Sequence, residues 1–167
     1  MICISLKSFM QTLDASSIIY AWDNYPNLQF PGLWRWLASQ MAQVELTIPA
    51  VALVEVVAKS PACGAWLKAA NIQVLPENMQ SLQVAASIQT ALGVVDGKYG
   101  DGVGDKDIRI IAVAKVQTAE LLTNEKLQPG KPAKLLNYKI PAVCDLAAVR
   151  VAHLDFLDYI KRSNQVF

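Results

Sequence analysis

Histidine is almost absent from this sequence, and its cysteines are few and far apart. There is one histidine, His153, and there are three cysteines, Cys3, Cys63 and Cys144, with no C-x-x-C pair. Zinc sites and Ser-His-Asp or Cys-His hydrolases depend on these residue types, so both classes are disfavoured. The cysteine pattern is typical of a reduced cytosolic protein rather than a secreted disulfide scaffold. We therefore expect a structural role for His153.

Long apolar runs and a strong net charge are missing as well. No uninterrupted apolar run approaches the ~20 residues that a membrane-spanning helix needs, and Lys7 breaks the opening apolar stretch before a signal-peptide core can form. We expect a soluble cytoplasmic protein with no membrane contact. The formal net charge is +1, so any nucleic-acid binding has to come from local basic patches. A length of 167 residues with 53% hydrophobic content predicts a single domain over residues 1–167.

Common phosphate-binding and calcium-binding loops are not found. No P-loop or G-x-G-x-x-G sequence follows a predicted strand. The stretch from Asp96 to Asp107 lacks the alternating ligands and the closing Glu of an EF-hand. Asp14 does not fit the phosphatase pattern with a second Asp two residues on, because Ser16 occupies that place. The chemistry has to be sought among the other acidic residues.

Four acidic residues stand where an apolar segment meets a turn or the start of a helix. They are Asp14, Glu55, Asp107 and Glu125. Carboxylates gathered at the strand ends of an α/β domain make a divalent-metal site, and such a site suits phosphodiester hydrolysis. Clustered carboxylates also raise one another's pKa, so a bound cation stabilises them. The four positions together favour a metal site.

Three of the four acids also have an ordinary explanation when each is taken alone. Asp14 and Asp107 fit helix N-termini, and Glu55 fits a solvated helix position. Asp105 competes with Asp107 because the two are close in sequence. The helical spacing of the apolar residues that follow predicts Asp107 in the first turn, with Asp105 before the helix as a cap or supporting group.

Strand-like and helix-like segments alternate along the whole chain. Strands are predicted over residues 9–13, 44–48, 72–75, 120–123 and 151–154; helices are predicted over 16–22, around 31–41, through Glu55 to a point before Pro61, near 66–70, over 79–92, from Asp107, near 143–149, and from 156. The five glycines of residues 93–104 predict a flexible loop. This order predicts an α/β fold with a central parallel sheet and helices on both faces, whose ligands collect at the carboxyl ends of the strands.

The acids belong to short motifs that occur in a fixed order. The motifs are Leu13-Asp14-Ala15-Ser16, Ile48-Pro49-Ala50-Val51 leading to Glu55-Val56, Asp107 with Ile111-Ala112-Val113-Ala114, and Leu121-Leu122-Thr123-Asn124-Glu125. In this order and spacing the sequence resembles the PIN domain, the metal-dependent nuclease fold used by VapC-type toxins of prokaryotic toxin-antitoxin pairs. The segments Tyr20-Ala21-Trp22, Phe30 to Leu37 and Lys139 to Cys144 look like an uncharacterised PIN-like subfamily of VapC relatives.

The resemblance implies a three-layer α/β/α PIN-like domain that acts as a metal-dependent endoribonuclease and hydrolyses RNA phosphodiester bonds. The implied catalytic and metal-binding residues are Asp14, Glu55, Asp107 and Glu125, with Mg²⁺ or Mn²⁺ as cofactor. The implied partners are an RNA substrate and a cognate antitoxin protein, and a homodimer is compatible with the resemblance. The alternative is a PIN-fold binding module that has lost efficient catalysis and acts through protein or RNA contacts.

Three features around the acids stay open at the level of sequence. Ser16 is a candidate hydrogen-bonding support for the site, by the same resemblance. Asn124 stands where some PIN relatives carry an acidic or basic residue, which leaves the identity of the fourth ligand open. Basic residues accompany Asp107 and Glu125 in the same half of the chain, and most of them are interpreted as solvated surface. They are Lys98, Lys106, Arg109, Lys126, Lys131, Lys134 and Lys139.

Overall fold

The computed structural model of the protein describes residues 9–167, so Cys3 and Lys7 lie outside the described residues. The strands are β1 (Gln11–Leu13), β2 (Leu46–Pro49), β3 (Gln73–Leu75), β4 (Glu120–Leu122) and β5 (His153–Leu154). The helices are α1 (Ala15–Asn24), α2 (Pro31–Ala42), α3 (Ala50–Lys59), α4 (Pro61–Ala69), α5 (Met79–Leu92), α6 (Asp105–Val116), α7 (Ile140–Cys144) and α8 (Phe156–Ser163), with a 3₁₀ turn at Leu135–Asn137.

The five strands form one parallel sheet in the order β3-β2-β1-β4-β5. Leu13 of β1 pairs with Leu122 of β4, and Thr12 pairs with Thr47 of β2, so β1 lies at the centre. Parallel neighbours need helical crossovers, which the alternating sequence supplies. The predicted three-layer α/β/α arrangement around a parallel sheet is confirmed.

The core holds the strand ends that carry the acids. Leu13 and Leu122 have no exposed surface. Leu13 directly precedes Asp14, and Leu122 directly precedes the segment that leads to Glu125. Helix α6 buries Ile108, Ile111 and their apolar neighbours against the same core. Complete burial of one such side chain stabilises the fold by about 1.5–3 kcal/mol. Asp14 and Asp107 therefore each adjoin a fully buried core residue, Leu13 and Ile108 respectively.

Local signals set several element boundaries, and long-range contacts set others. Helix α5 has the predicted bounds, because Asn78 and Ser81 form a reciprocal cap and Gly93 ends the helix at φ +79°. The helix predicted near residues 143–149 instead runs over Ile140–Cys144. Its Pro141 suits a first turn, which moves the start toward the N-terminus. No helix within residues 9–167 is long and apolar enough to cross a membrane.

Candidate active site

Asp14 lies between the end of β1 and the start of α1. Its backbone N–H donates to the Leu122 carbonyl at 2.8 Å, which joins it to β4. Its side chain makes no cap to α1. The carboxylate instead accepts hydrogen bonds from Ser16 Oγ at 2.5 Å and from Thr123 Oγ1 at 3.0 Å, both on Oδ2. Asp14 is only 3% exposed, so this carboxylate is held in place from two elements.

The two hydroxyls beside Asp14 also bind the segment that follows β4. The Asn124 N–H donates to Ser16 Oγ at 2.9 Å, and the Glu125 N–H donates to Thr123 Oγ1 at 3.3 Å. Because the hydroxyls are donors to Asp14 and acceptors from the backbone, they fix the path of the chain toward Glu125. Sequence reasoning singled out Ser16 and missed the hydroxyl of Thr123.

Asp107 lies in the first turn of α6, as predicted, but the helix begins earlier than predicted. Gly104 is the N-cap in an extended conformation, and its N–H donates to Asp107 Oδ2 at 2.8 Å. The placement of Asp105 before the helix as a cap was therefore wrong. Asp105 is the first helical residue, and its carboxylate contacts Arg109 and the Tyr99 hydroxyl, each at 3.4 Å.

Glu125 follows β4 and reaches toward α7. Its Oε2 accepts a hydrogen bond from the Ile140 N–H at 3.1 Å. The neighbouring Asn124 has a different contact, because its Oδ1 accepts from the Phe156 N–H at the start of α8, at 3.0 Å. Asn124 thus ties β4 to α8, whereas Glu125 belongs with the other acids.

Glu55 reaches the acids from α3. Its Oε1 lies 2.5 Å from Nζ of Lys59, one helical turn further along. The Glu55 side chain is 17% exposed and that of Lys59 is 64% exposed. The carboxylate is therefore sheltered, while the lysine approaches it from solvent.

The four carboxylates act on one another electrostatically. Burial raises the pKa of Asp14 to about 6 against the hydrogen bonds from Ser16 and Thr123, and the charges of Asp107 and Glu125 raise it further. Burial is also the main cause that raises the pKa of Asp107 and the pKa of Glu125, and in both cases the charge of Glu55 adds to it. The structure therefore brings all four predicted residues into one field of negative charge.

The two oxygens of each of these carboxylates differ in their hydrogen bonding. Within residues 9–167, one oxygen of each accepts a hydrogen bond, and the other accepts none. The occupied oxygens are Asp14 Oδ2, Glu55 Oε1, Asp107 Oδ2 and Glu125 Oε2. Four carboxylates, each with one oxygen free to act as a metal ligand, suit Mg²⁺ or Mn²⁺, because both ions prefer oxygen ligands.

The side chains as they stand are not drawn together to ligand distance. Among the described residues, no group of three or more acidic, histidine or cysteine side chains is close enough to hold a metal ion. The hydrogen bonds give a physical reason, because Lys59, Gly104 and Ile140 each hold a carboxylate of the site in its present direction. At Glu55 the group that holds the carboxylate is the ammonium group of Lys59, a positive charge.

The sequence matches the family described as "Domain of unknown function (DUF4411)" over residues 11–167. The chain belongs to the DUF4411 family. A search of curated proteins found no sequence that matches this DUF4411 protein.

Solved structures share the fold of this DUF4411 protein. One is the crystal structure of VapBC2 from Rickettsia felis bound to a DNA fragment from their promoter, with a TM-score of 0.56 and 14% identity over 87% of this chain and 98% of that chain. Another is PAE2754 from Pyrobaculum aerophilum, with a TM-score of 0.52 and 16% identity over 95% of this chain and 92% of that chain. The expected PIN-like, VapC-type fold is confirmed, and identities this low show the fold alone.

Two cavities distinguish the ends of the sheet in this DUF4411 protein. The larger, about 420 Å³, is lined by Gln11, Glu120 and Arg162 at the amino ends of the strands. A smaller one, about 180 Å³, includes Thr123 and Glu125 at the carboxyl end of β4. Ligands of open parallel sheets bind at carboxyl ends, and Glu125 is the one of the four acids that lines the smaller cavity.

Two lysines of the DUF4411 chain lie within reach of the acidic field. The charge of Lys139 lowers the pKa of both Asp107 and Glu125, and the charge of Lys59 lowers that of Asp107. Arg109, by contrast, is held by both carboxylate oxygens of Glu77. Sequence reasoning included Lys139 among the basic residues but missed Lys59, whose signal was its position four residues after Glu55.

The loop before α6 is packed against the segment that carries Lys139. The Val103 N–H donates to the Tyr138 carbonyl at 2.9 Å, and Gly102 lies so close that a Cβ there would be 2.1 Å from the same oxygen. The Lys139 N–H donates to Gln128 Oε1 at 2.8 Å. The approach to Asp107 and the approach to Glu125 are thus held together by backbone contacts.

His153 lies in β5, as predicted. Its Nε2 is 2.8 Å from Asp145 Oδ1, and its side chain is 16% exposed. The pair joins β5 to the residue that follows α7. This contact agrees with a structural role for the only histidine.

Proposed function

We propose that this protein is a Mg²⁺- or Mn²⁺-dependent endoribonuclease, the toxin of a VapBC-like toxin-antitoxin pair. The observation that carries the proposal is the shared field of negative charge of four carboxylates from separate elements, each with one oxygen held by a hydrogen bond from the protein. A fold shared with VapBC2 is in keeping with it. The partners proposed on the same basis are an RNA substrate and a cognate antitoxin, and a homodimer of the chain is compatible with the site.

Asp14, Glu55, Asp107 and Glu125 would hold the ion in this proposal. A bound Mg²⁺ or Mn²⁺ would supply an activated water and neutralise charge on the leaving oxygen. Ser16 and Thr123 donate to Asp14 and so fix its orientation. Gly104 and Ile140 do the same for Asp107 and Glu125 through their N–H groups.

The direct test is RNA cleavage by the purified protein. Cleavage is expected with Mg²⁺ or Mn²⁺ and is expected to stop when the metal is chelated. Asp14→Asn should abolish it while the circular dichroism spectrum stays unchanged. Asp145→Asn is a matched control, because Asp145 is 58% exposed and contacts His153 rather than the four acids. Unchanged cleavage by Asp14→Asn would overturn the proposed site.

A second candidate is a PIN-fold binding module without efficient catalysis. The observation in its favour is that Lys59 already neutralises the charge of Glu55. This candidate predicts RNA or protein binding that is indifferent to chelation and to Asp14→Asn. The cleavage experiment above separates the two functions, since only the nuclease needs the metal.

A further inference from the structure

Lys59 supplies the acidic site with a positive charge from the protein itself. It ends α3, and its ammonium contacts Glu55 Oε1 at 2.5 Å. Its side chain is 64% exposed, whereas that of Glu55 is 17% exposed. The lysine therefore lies at the exposed edge of the site with its charged end on Glu55.

The contact differs from an ordinary pair on a helix surface. An ordinary exposed pair four residues apart stabilises its own helix slightly. Lys59 also interacts with the charges of Asp14 and Asp107, and the hydrogen bond with Glu55 is the main cause that raises its own pKa. Three of the four acids thus act on this one ammonium group.

A divalent ion and Lys59 compete for Glu55. Two cations repel each other at short distance, and a short hydrogen bond to an ammonium group weakens an oxygen of Glu55 as a ligand. Lysine has a flexible four-carbon stem, so its ammonium group can leave Glu55 without movement of the helix. Because Lys59 is exposed, it can move toward solvent at the point where a polyanion would approach.

We propose that Lys59 holds Glu55 until a divalent ion displaces it, and that the freed ammonium group then contacts a phosphate of the RNA. The proposal rests on the proposed nuclease function. It assigns two roles to one residue, as competitor of the metal and as ligand of the substrate. Removal of the lysine should therefore change metal binding and RNA binding in opposite directions.

The first measurement is calorimetric titration of the RNA-free protein with Mn²⁺. Lys59→Met keeps the length of the side chain and removes its charge. It should bind Mn²⁺ about two- to fivefold more tightly than the wild type, as expected for the loss of one exposed ion pair. Lys59→Arg should restore wild-type affinity. Lys68→Met is the control, because Lys68 is an exposed lysine in the last turn of α4.

The second measurement is the rate of RNA cleavage at saturating Mn²⁺, where differences in metal affinity no longer count. Lys59→Met should raise KM severalfold, Lys59→Arg should restore it, and Lys68→Met should leave it unchanged. Unchanged or weaker Mn²⁺ binding by Lys59→Met overturns the proposal, and so does an unchanged KM. Failure of the wild type to cleave RNA would instead overturn the proposed function, and the Mn²⁺ titration would still report on the exchange at Glu55.

Discussion

At the scale of single residues, the burial of Asp14 raises its pKa to about 6 and so makes the stability of the fold depend on pH. A carboxyl group whose pKa is raised on folding stabilises the fold below its unfolded pKa, and this stabilisation is lost as the pH rises through the folded pKa. For Asp14 that window runs from about 4 to about 6. At neutral pH and without metal, the ionised group is therefore a source of instability.

This sign leads to a prediction for Asp14→Asn. Without metal, the variant should gain stability relative to the wild type as the pH rises from 4 to 7, by about 3 kcal/mol at most. Urea unfolding in the presence of a chelator at both pH values measures the difference. Ser16→Ala is a useful comparison, since it keeps the carboxylate and removes the hydroxyl that donates to Asp14 and accepts from the Asn124 N–H. A stability difference that does not vary with pH would contradict the burial of a titrating Asp14.

Asp105 and Asp107 provide a second prediction at this scale. Asp107→Asn should remove most of the metal affinity, because its carboxylate lies in the field of the other acids. Asp105→Asn should leave metal binding nearly unchanged, because Asp105 contacts Arg109 on the surface. Its loss should cost less than about 1 kcal/mol of unfolding free energy, as is usual for an exposed ion pair.

Calorimetric titration with Mn²⁺ compares the two variants. The assignment fails if Asp105→Asn loses metal binding and Asp107→Asn keeps it. Thermal unfolding of both variants shows whether a loss of binding reflects a loss of the fold.

At the scale of elements, the backbone contact between Gly102 and Tyr138 joins the loop before α6, the helix of Asp107, to the segment before α7. A Cβ on residue 102 would lie 2.1 Å from the Tyr138 carbonyl oxygen, which is backbone and cannot turn aside. Gly102→Ala should therefore separate the segment before α6 from the segment before α7. A loss of about 1–3 kcal/mol in unfolding free energy is expected for such overpacking.

Gly130→Ala is the matched control for this variant. A Cβ at Gly130 meets nothing within 4 Å. Gly102→Ala should weaken both stability and Mn²⁺ binding, while Gly130→Ala should change neither. Equal behaviour of the two variants in urea unfolding and in calorimetry would contradict the role of this contact.

Element boundaries were easiest to predict where capping residues at both ends of a helix are visible in the sequence. Helix α5 was predicted residue for residue because Asn78 and Gly93 are local caps. The start of α6 was missed because a glycine is its N-cap, and the capping carboxylate lies three residues later. The pair of Ser16 and Thr123 could not be predicted, since 107 positions separate them. Convergence of the four acids followed from a parallel sheet, whereas their hydrogen-bond partners depend on tertiary packing.

At the scale of the whole molecule, the proposed toxin activity predicts an effect on cells. Expression of the wild-type chain should slow bacterial growth, because RNA cleavage limits protein synthesis. Glu55→Gln should relieve the effect, since it removes one charge from the site. Growth curves at matched soluble protein levels provide the measurement, with Glu45→Gln as a control in the turn before β2. Equal inhibition by wild type and Glu55→Gln would argue against a nuclease toxin.

The general architecture of the molecule was predictable from the sequence. The surfaces that would bind RNA or an antitoxin were not. Alternating segments and the order of the four acids led to a parallel sheet with a PIN-like fold, and both were confirmed. The single domain over residues 1–167, the cytoplasmic location and the metal stay predictions. Surfaces for RNA or an antitoxin leave little trace in one sequence, because exposed side chains are set by the partner rather than by the fold.

The hydrogen bond between Asp14 and Thr123 joins residues that are 109 positions apart. The ribosome releases β1 before β4, which lies beside it in the sheet but later in the sequence. A partly synthesised chain therefore has Asp14 without Thr123 and Glu125. The proposed site cannot assemble until the segment through Glu125 has left the ribosome, so a shorter nascent chain should lack any activity that depends on the four acids.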